Sequence, residues 1–541
     1  MIFRSFDIQE FSYIMKNVMK NKFTIYIALF LVICLIPSAG LIFTGAQQES
    51  EGKEAAKAPK LFTKDAPNPH FLSDAGKWYE DHFAFRSQAV TGYAQLLGNV
   101  FGESAQGNVI MGKDGWLFYK DSLADFQGMQ PMTDRQLFDV AHTLAMMQAY
   151  AKAHGAKFAF AVAPNKNSLY GEYMPDYYQP ADTGESNFLR LKEYLKDEQV
   201  NYIDLYETFY KDGHKDERIL YHKRDSHWNN EGAAIAASQI LEGLGKEHDS
   251  YADRPYDIRK DFQGDLEGML YPAAIKPEEE VYYRPAPQFD YCKKVENNFA
   301  PKIHTRASGS GGLLMYRDSF GNALLPFLAE AFESAYFSRA LPYRLNELDE
   351  QEADALVIER AERFLPDMAS QAPEMEAVAL DLNLNLNDSV LKAAIKTDVK
   401  TKVRGEYIQV SGTLPSGSYK ERSRIYVRVN GEKSYEAFPV SAADHTEGFS
   451  MLLGKEKLQE KGFSFEIFVS DSDQAAFFIN EAGKPNESGK TNESGKPEDA
   501  GKGDANGKTE LSREDYPDCD GSGHGYREIY YSDGSVEIEE Y

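Results

Sequence analysis

The chain has 541 residues, of which 42% are hydrophobic and 13% aromatic. At about 100–200 residues per domain that is too long for one hydrophobic core, and it is too apolar for a disordered chain. Lys and Arg number 59 against 85 Asp and Glu, a net charge of −26, which excludes the broad basic face that a nucleic-acid binder needs.

The first element is an uncharged run from Phe23 to Phe43, long enough for a hydrocarbon layer of ~30 Å. Lys16, Lys20 and Lys22 precede it, and Glu49, Glu51 and Glu54 follow it. The positive-inside rule leaves residues 1–22 in the cytoplasm and everything after about residue 46 outside. Residues 23–45 are therefore expected to be a single-pass transmembrane signal anchor. A cleavable signal peptide is the alternative, with small residues at Ser38, Ala39, Gly40, Gly45 and Ala46 for cleavage. Cys292 and Cys519 are the only other cysteines besides Cys34. Two isolated cysteines make no disulfide framework, and no Cys/His cluster has zinc-ligand spacing. Neither a metal nor a cofactor is expected.

Residues 46–60 read as a small, charged stalk. From 61 to 372 helical and strand patterns alternate, which argues for one α/β domain with a parallel sheet. Asp134 can cap a helix through Leu137, Val140, Leu144, Met147 and Tyr150 that stops at His154-Gly155. A buried strand over 157–163, a helix over 187–197, a strand over 200–206 and a helix over 231–244 follow. Residues 311–332 read strand, tight turn, helix, and 353–360 is a further buried strand. Residues 376–480 change to period-two alternation with turn signals such as Asn430-Gly431, a smaller all-β, sandwich-like domain. Residues 481–510 hold a hexapeptide repeat (GKPNES, GKTNES, GKPEDA, GKGDAN) with too little apolar surface to fold, hence a disordered linker. Residues 511–541 form a tail with a hairpin turning at Ser532-Asp533-Gly534; its Cys519 and His524 are two ligands at most and make no metal site.

Two short segments carry chemistry. Arg317-Asp318-Ser319 sits at a predicted strand-to-helix turn, where open α/β sheets bind ligands and the helix N-terminus favours an oxyanion. Asp318 or Ser319 serving only as a helix cap is the plainer alternative. Asp225-Ser226-His227-Trp228 precedes the helix at Glu231. A carboxylate two residues before an imidazole can hold its Nδ1 and leave Nε2 to take a proton from a serine. Here the plainer alternative is an Asn229 or Asn230 cap with His227 packed on Trp228.

Five blocks occur in order: DHFAFRSQAV (81–90), GKDGWLFYKDS (112–122), VAPNKNSLYGEYMP (162–175), RDSHWNNEGA (224–233) and MYRDSFGNALLPFL (315–328), the last followed by ALVIERAERFL (355–365). On these the chain resembles the SGNH-hydrolase-like polysaccharide O-acetyltransferases of the AlgX/AlgJ type and their Gram-positive relatives, the DHHW proteins. It departs from them in having Asp225-Ser226-His227-Trp228 for Asp-His-His-Trp and Arg317 where SGNH enzymes carry Gly. The resemblance implies an SGNH-like fold, with Ser319 as nucleophile, His227 as general base and Asp225 as its orienting carboxylate. Lys166 and Asn167 are candidate oxyanion helpers, and Arg339, Arg344 and Arg363 candidate substrate contacts. Trp116 and Tyr119 either stack on sugar or belong to the core.

The function so implied is extracytoplasmic transfer of acetyl, through an acyl-serine, to a cell-envelope or exopolysaccharide. A multi-spanning membrane O-acyltransferase would be the donor, and the β-domain would stand where a carbohydrate-binding appendage does. A carbohydrate esterase using the same site and a non-catalytic glycan-binding scaffold are the rival readings.

Overall fold

The computed structural model describes residues 22–44, 58–63, 66–180, 186–211, 214–295, 297–380, 399–404, 406–441, 446–455, 463–470, 475–482, 510–516, 526–531 and 536–540. Most of the stalk, the hexapeptide repeats, Cys519 and His524 lie outside these residues. The chain divides into two units, residues 1–107 with 267–276, and residues 108–266 with 277–541.

In the first unit the apolar run forms a 23-residue helix, Lys22–Thr44. Among the described residues, however, no helix is long and apolar enough to cross a membrane; within this helix the side chains of residues 22, 34, 37, 38 and 41–44 fall outside the described set. The transmembrane expectation gains no support here. Helices Phe71–His82 and Arg86–Phe101 follow, joined at Phe85, whose φ of 64° is left-handed.

The second unit holds a seven-stranded sheet. In chain order its strands are β1 (Lys157–Ala163), β2 (Tyr202–Ile203), β3 (Asp290–Tyr291), β4 (Lys302–Arg306), β5 (Gly312–Tyr316), β6 (Ser334–Ser338) and β7 (Ala355–Ala361), arranged β2-β1-β7-β5-β6-β4-β3. The first five of that row are parallel. β4 runs antiparallel to β6, and β3 antiparallel to β4. The expected parallel sheet is thus mixed. β4 (KIHTR) buries only Ile303 and Thr305, so it lacks the continuous apolar run of a central strand and gives no strong sequence signal.

Helices α1 (Asp134–Ala153), α2 (Asn187–Asp197), α3 (Asn230–Gly243) and α4 (Gly321–Ala331) flank the sheet. Successive residues of a strand point to opposite faces, and both faces are covered. Ala159, Ala161, Leu313, Met315 and Val357 pack with Ala233, Ala237, Ile240 and Leu324 of α3 and α4. Phe158, Phe160, Leu314, Leu356 and Ile358 pack with Leu137, Leu144, Phe188 and Leu191 of α1 and α2. Thr133, not Asp134, caps α1, in a reciprocal capping box with Gln136. The strand expected over 200–206 shortens to two residues, because a π-helical turn starts at Glu207.

The C-terminal strands are β8 (Val399–Arg404), β9 (Tyr407–Thr413), β10 (Arg424–Val429), β11 (Lys433–Ser441), β12 (Glu447–Gly454), β13 (Phe463–Ser470) and β14 (Ala475–Ala482). They make one antiparallel sheet in the order β8-β9-β12-β11-β10-β13-β14, with Ala379–Leu380 as an eighth strand on β11. This half-barrel sheet replaces the expected sandwich. The reason is β11: its first half pairs with β10 and its second half, from Phe438, with β12, so one strand joins two ladders around one core of Val410, Val427, Leu453 and Ile467. All eight residues of β12 are buried, which erased the period-two signal. In the tail, Tyr526–Tyr531 pairs with Val536–Glu540, and Glu510–Tyr516 adds a third strand to the expected hairpin.

His142 of α1 joins the two sheets. Its Nδ1 is 2.8 Å from Glu198 Oε2 and its Nε2 3.0 Å from Glu436 Oε1. Burial alone would lower its pKa, but the two carboxylates raise it above the ordinary 6.5. A raised histidine adds stability that is full below its unfolded pKa and is lost as pH rises through the folded one. As pH rises from the ordinary 6.5 through the raised pKa of His142, the melting temperature should therefore fall more steeply in the native chain than in His142→Gln. Parallel pH dependences would refute this role.

Candidate active site

Three elements converge at the C-terminal edge of the sheet. β5 ends at Tyr316, and residues 317–320 turn into α4. Ser319, 5% exposed, stands on that turn. The Asp318 carboxylate accepts the Phe320 N–H at 2.9 Å and the Ala361 N–H of β7 at 2.6 Å; Asp318 thus braces the turn, but neither it nor Ser319 caps α4, whose N-cap residue is Phe320 and which has no side-chain cap. The Asp318 N–H in turn donates to Glu359 Oε2 at 3.1 Å. Burial, then the charge of Asp318, raises Glu359 well above the usual carboxyl range, which favours its neutral form beneath the turn.

Arg317, in place of the usual glycine, runs under the same turn. Its guanidinium donates to the Asn298 carbonyl at 2.8 Å, to the Ala300 carbonyl at 3.2 Å and to Asn322 Oδ1. The glycine is needed four residues later: a Cβ on Gly321 would lie 2.6 Å from Arg317 Cβ. Burial, followed by the charge of Arg339, lowers the Arg317 pKa to about 9.

The second element is the loop before α3. Asn229 caps that helix, its side chain accepting the Gly232 N–H at 2.9 Å. His227 meets the Phe320 ring edge-on at 4.9 Å and faces the nucleophile turn. Its Nε2 lies 2.9 Å from Ser319 Oγ, and its Nδ1 lies 2.8 Å from Asp225 Oδ1. The structure brings Asp225, His227 and Ser319 into one continuous relay from residues 92 positions apart. Trp228 locks the loop to the turn: its indole N–H donates to the Phe320 carbonyl at 3.1 Å, and its ring meets the Phe320 ring edge-on at 5.0 Å.

Electrostatics set the roles. Burial opposes charge on Asp225, but the hydrogen bond and charge of His227 outweigh it and hold the carboxyl well below its ordinary range. Burial also opposes charge on His227, and Asp225 outweighs it there, raising the imidazole above 6.5.

The other candidates fare differently. The Lys166 ammonium donates to the carbonyls of Asp225 (2.6 Å), His222 and Lys223 (both 3.1 Å). All three protons are used under the Asp225 loop, so it is a strut rather than an oxyanion donor; burial lowers its pKa to about 8. Asn167 Nδ2 donates to the Ser122 carbonyl at 3.2 Å. Arg339 donates to the Phe299 carbonyl at 3.0 Å, and Arg344 lies 3.5 Å from Glu374 Oε2. Trp116 is 1% exposed and stacks on Tyr173 at 4.6 Å, which makes it core. Arg363 alone of the three arginines adjoins the relay. Its guanidinium sits 5.5 Å from the Phe320 and Tyr119 ring centroids, and its charge acts to lower the His227 pKa. Its buried Nε has no hydrogen-bond acceptor among the described residues.

Sequence reasoning missed Asp265, whose Oδ2 is 3.7 Å from His227 Nδ1. Nothing in QGDLEG distinguishes it. It missed the indole bond of Trp228 and the raised carboxyl of Glu359 as well, since both depend on contacts between distant segments.

Comparison with known proteins follows the same segment. Residues 109–314 match the family model described as "SGNH hydrolase-like domain, acetyltransferase AlgX". The probable alginate O-acetylase AlgJ of Pseudomonas syringae pv. tomato is 26% identical over 220 residues, 40% of this chain and 51% of that protein. Its counterpart from Pseudomonas aeruginosa is 24% identical over 258 residues, 46% and 61% respectively. The chain thus spans about half the length of the curated relatives it matches. Among solved structures, Bacillus cereus PatB1 has 16% identity with a TM-score of 0.39 over 48% of this chain and 96% of that one. The O-acetyltransferase domain of Pseudomonas putida AlgJ has 18% and 0.33 over 48% and 92%. The resemblance read from the five sequence blocks is borne out by the match of residues 109–314 to the SGNH hydrolase-like, AlgX acetyltransferase family model and by the similarity to the AlgJ proteins.

Proposed function

We propose that this protein is a serine O-acetyltransferase acting outside the cytoplasm, which passes acetyl through an ester on Ser319 to hydroxyls of a cell-envelope or exopolysaccharide. The observation that carries the reading is the Asp225–His227–Ser319 relay, at 2.8 and 2.9 Å, inside an acetyltransferase-type domain. Neutral His227 takes the Ser319 proton as Oγ attacks the acetyl carbonyl, while Asp225 holds Nδ1–H and balances the imidazolium. The Ser319 N–H and the N-terminus of α4 stabilise the oxyanion. Collapse expels the donor's oxygen, which takes the proton from His227. A sugar hydroxyl then gives its proton to His227 and attacks the acyl-serine, and the second collapse returns that proton to Oγ. Arg363 is the substrate contact that best fits the geometry.

The names of the AlgJ relatives support a polysaccharide acceptor. The charge pattern around residues 23–43 supports an external site, and with it a donor that works across the membrane, a multi-spanning O-acyltransferase. The test is incubation with a chromogenic acetyl ester and an acceptor oligosaccharide. An acetyl adduct on the Ser319 peptide together with acetylated glycan is expected. Release of acetate alone would make the protein an esterase, and absence of both adduct and turnover would overturn the reading, leaving a glycan-binding scaffold.

The raised His227 sets the pH dependence. The base works only when neutral, so kcat/KM should fall as pH drops through a midpoint above the ordinary 6.5. Asp225→Asn should move that midpoint down and lower kcat by roughly 10⁴-fold. An acid limb unmoved by this substitution would separate Asp225 from the base.

A further inference from the structure

The loop that carries Asp225 and His227 is pressed against residues 264 and 265. A Cβ on Gly264 would lie 2.3 Å from the Arg224 carbonyl oxygen and 3.0 Å from the Asp225 nitrogen. Only a residue without a side chain lets the two backbones approach this closely, and the approach brings Asp265 into the relay. The Asp265 N–H donates to Asp225 Oδ2 at 2.8 Å. The Ser226 N–H donates to Asp265 Oδ1 at 2.8 Å, and the Ser226 hydroxyl donates to Asp265 Oδ2. Among the described residues, Asp225, His227 and Asp265 are the one group of three such side chains whose ligand-type atoms all lie within 4.8 Å of one another.

We propose that His227 is supported by two carboxylates: Asp225, which accepts the hydrogen bond from Nδ1–H, and Asp265, a positioning residue that clamps the Asp225–Ser226–His227 turn and adds its charge beside the imidazolium. The proposal rests on the reading of His227 as the base for Ser319 and extends it. The clamp accounts for both oxygens of Asp225. Oδ1 accepts the His227 backbone N–H and faces Nδ1, and Oδ2 is held by Asp265. As the imidazolium forms, the Asp225 carboxylate cannot swing away. At 3.7 Å from Nδ1, Asp265 can also accept the Nδ1–H hydrogen bond after a small movement.

Asp265 brings its own pH dependence. Burial, then the charge of Asp225, raises its carboxyl to about 6. The charged groups that face it are Asp225 and His227, and Lys166, whose own pKa responds to the Asp265 charge. Above about 6 the clamp is anionic and favours His227 protonation; below it the clamp neutralises, and the support is withdrawn.

The test is NMR titration of the His227 imidazole in the full chain, beside the pH profile of acetyl-ester turnover. Asp265→Asn keeps the shape and an oxygen for the Ser226 N–H but removes the charge. The His227 pKa should fall by about half to one unit, and the acid limb should move with it. Residual turnover in Asp225→Ala should exceed that in His227→Ala, and Asp225→Ala combined with Asp265→Asn should fall to the His227→Ala level. A His227 pKa unchanged by Asp265→Asn would overturn the proposal. The titration needs no turnover, so an inactive native chain would refute the acetyltransferase reading while leaving this measurement decisive. If Asp265→Asn fails to fold, Asp265→Ser, which keeps a side-chain oxygen at that position, gives the same readout.

Discussion

Ser319→Ala and His227→Ala should each lower kcat for acetyl transfer by at least about 10⁴-fold, roughly 5 kcal/mol of transition-state stabilisation. The two side chains act through one 2.9 Å contact. Without His227 the hydroxyl has no acceptor for its proton; without Ser319 the imidazole has nothing to activate. The double variant should therefore be no slower than either single one, since residues that act as a unit are not additive. Neither change should unfold the chain, because Ser319 contributes little packing and Asp318, not Ser319, accepts the hydrogen bonds that hold the turn. A Ser319→Ala variant that retained a tenth of native turnover with an unchanged pH profile would remove the serine from the mechanism. Multiplying losses in the double variant would instead show two independent roles.

The second large effect concerns stability. Arg135 of α1 is buried between the two sheets and is anchored mainly in the C-terminal one. Its Nη2 lies 2.9 Å from Glu447 Oε1, its Nε 2.9 Å from Asp139 Oδ1, and its Nη1 donates to the Ser423 carbonyl at 2.6 Å. Asp139 is fully buried and Glu447 nearly so. Burial already raises Asp139 well above its ordinary range, so one cation serves the pair. Arg135→Ala leaves a buried carboxylate with no counter-charge and should cost about 3–5 kcal/mol in denaturant unfolding. Arg135→Met combined with Glu447→Gln should recover much of that loss, because a buried pair removed whole costs far less than one broken. A loss below about 1 kcal/mol for Arg135→Ala would mean that the network is solvated and the two sheets are held by apolar contacts alone.

Much of this was legible in the residues. KFAFAVA and ALVIERA are runs that only a strand covered on both faces can use, and they form adjacent interior strands of the sheet. The stop at His154-Gly155 ended α1 as read, Gly155 having a φ of 80°. Asp225, His227 and Ser319 could be named because each sits in a motif whose chemistry is local: a carboxylate two residues from an imidazole, and a serine before a helix. The failures share a cause. β12 is buried along its whole length and shows no alternation, and β4 is five residues whose two buried side chains are Ile303 and Thr305, too few apolar positions to read as a strand. The sandwich expected at the C-terminus became one sheet because partner choice along β11 changes midway, which period-two patterning does not encode.

The supports of the site were not readable at all. Lys166 looks like a free cation in VAPNKNS until three carbonyls of a loop more than fifty residues away take its protons. Arg317 departs from the usual glycine, and the reason emerges only when Gly321 is seen to leave room for its side chain. Asp265 lies in an undistinguished stretch, and its role depends wholly on Gly264 letting two backbones meet. Composition, periodicity and short motifs, set by covalent neighbours, were enough for the α/β class and the three residues of the relay. Which polar groups are buried together, and hence which carboxylates stay neutral and which cations are already spent, follows from contacts that exist only once distant segments have packed.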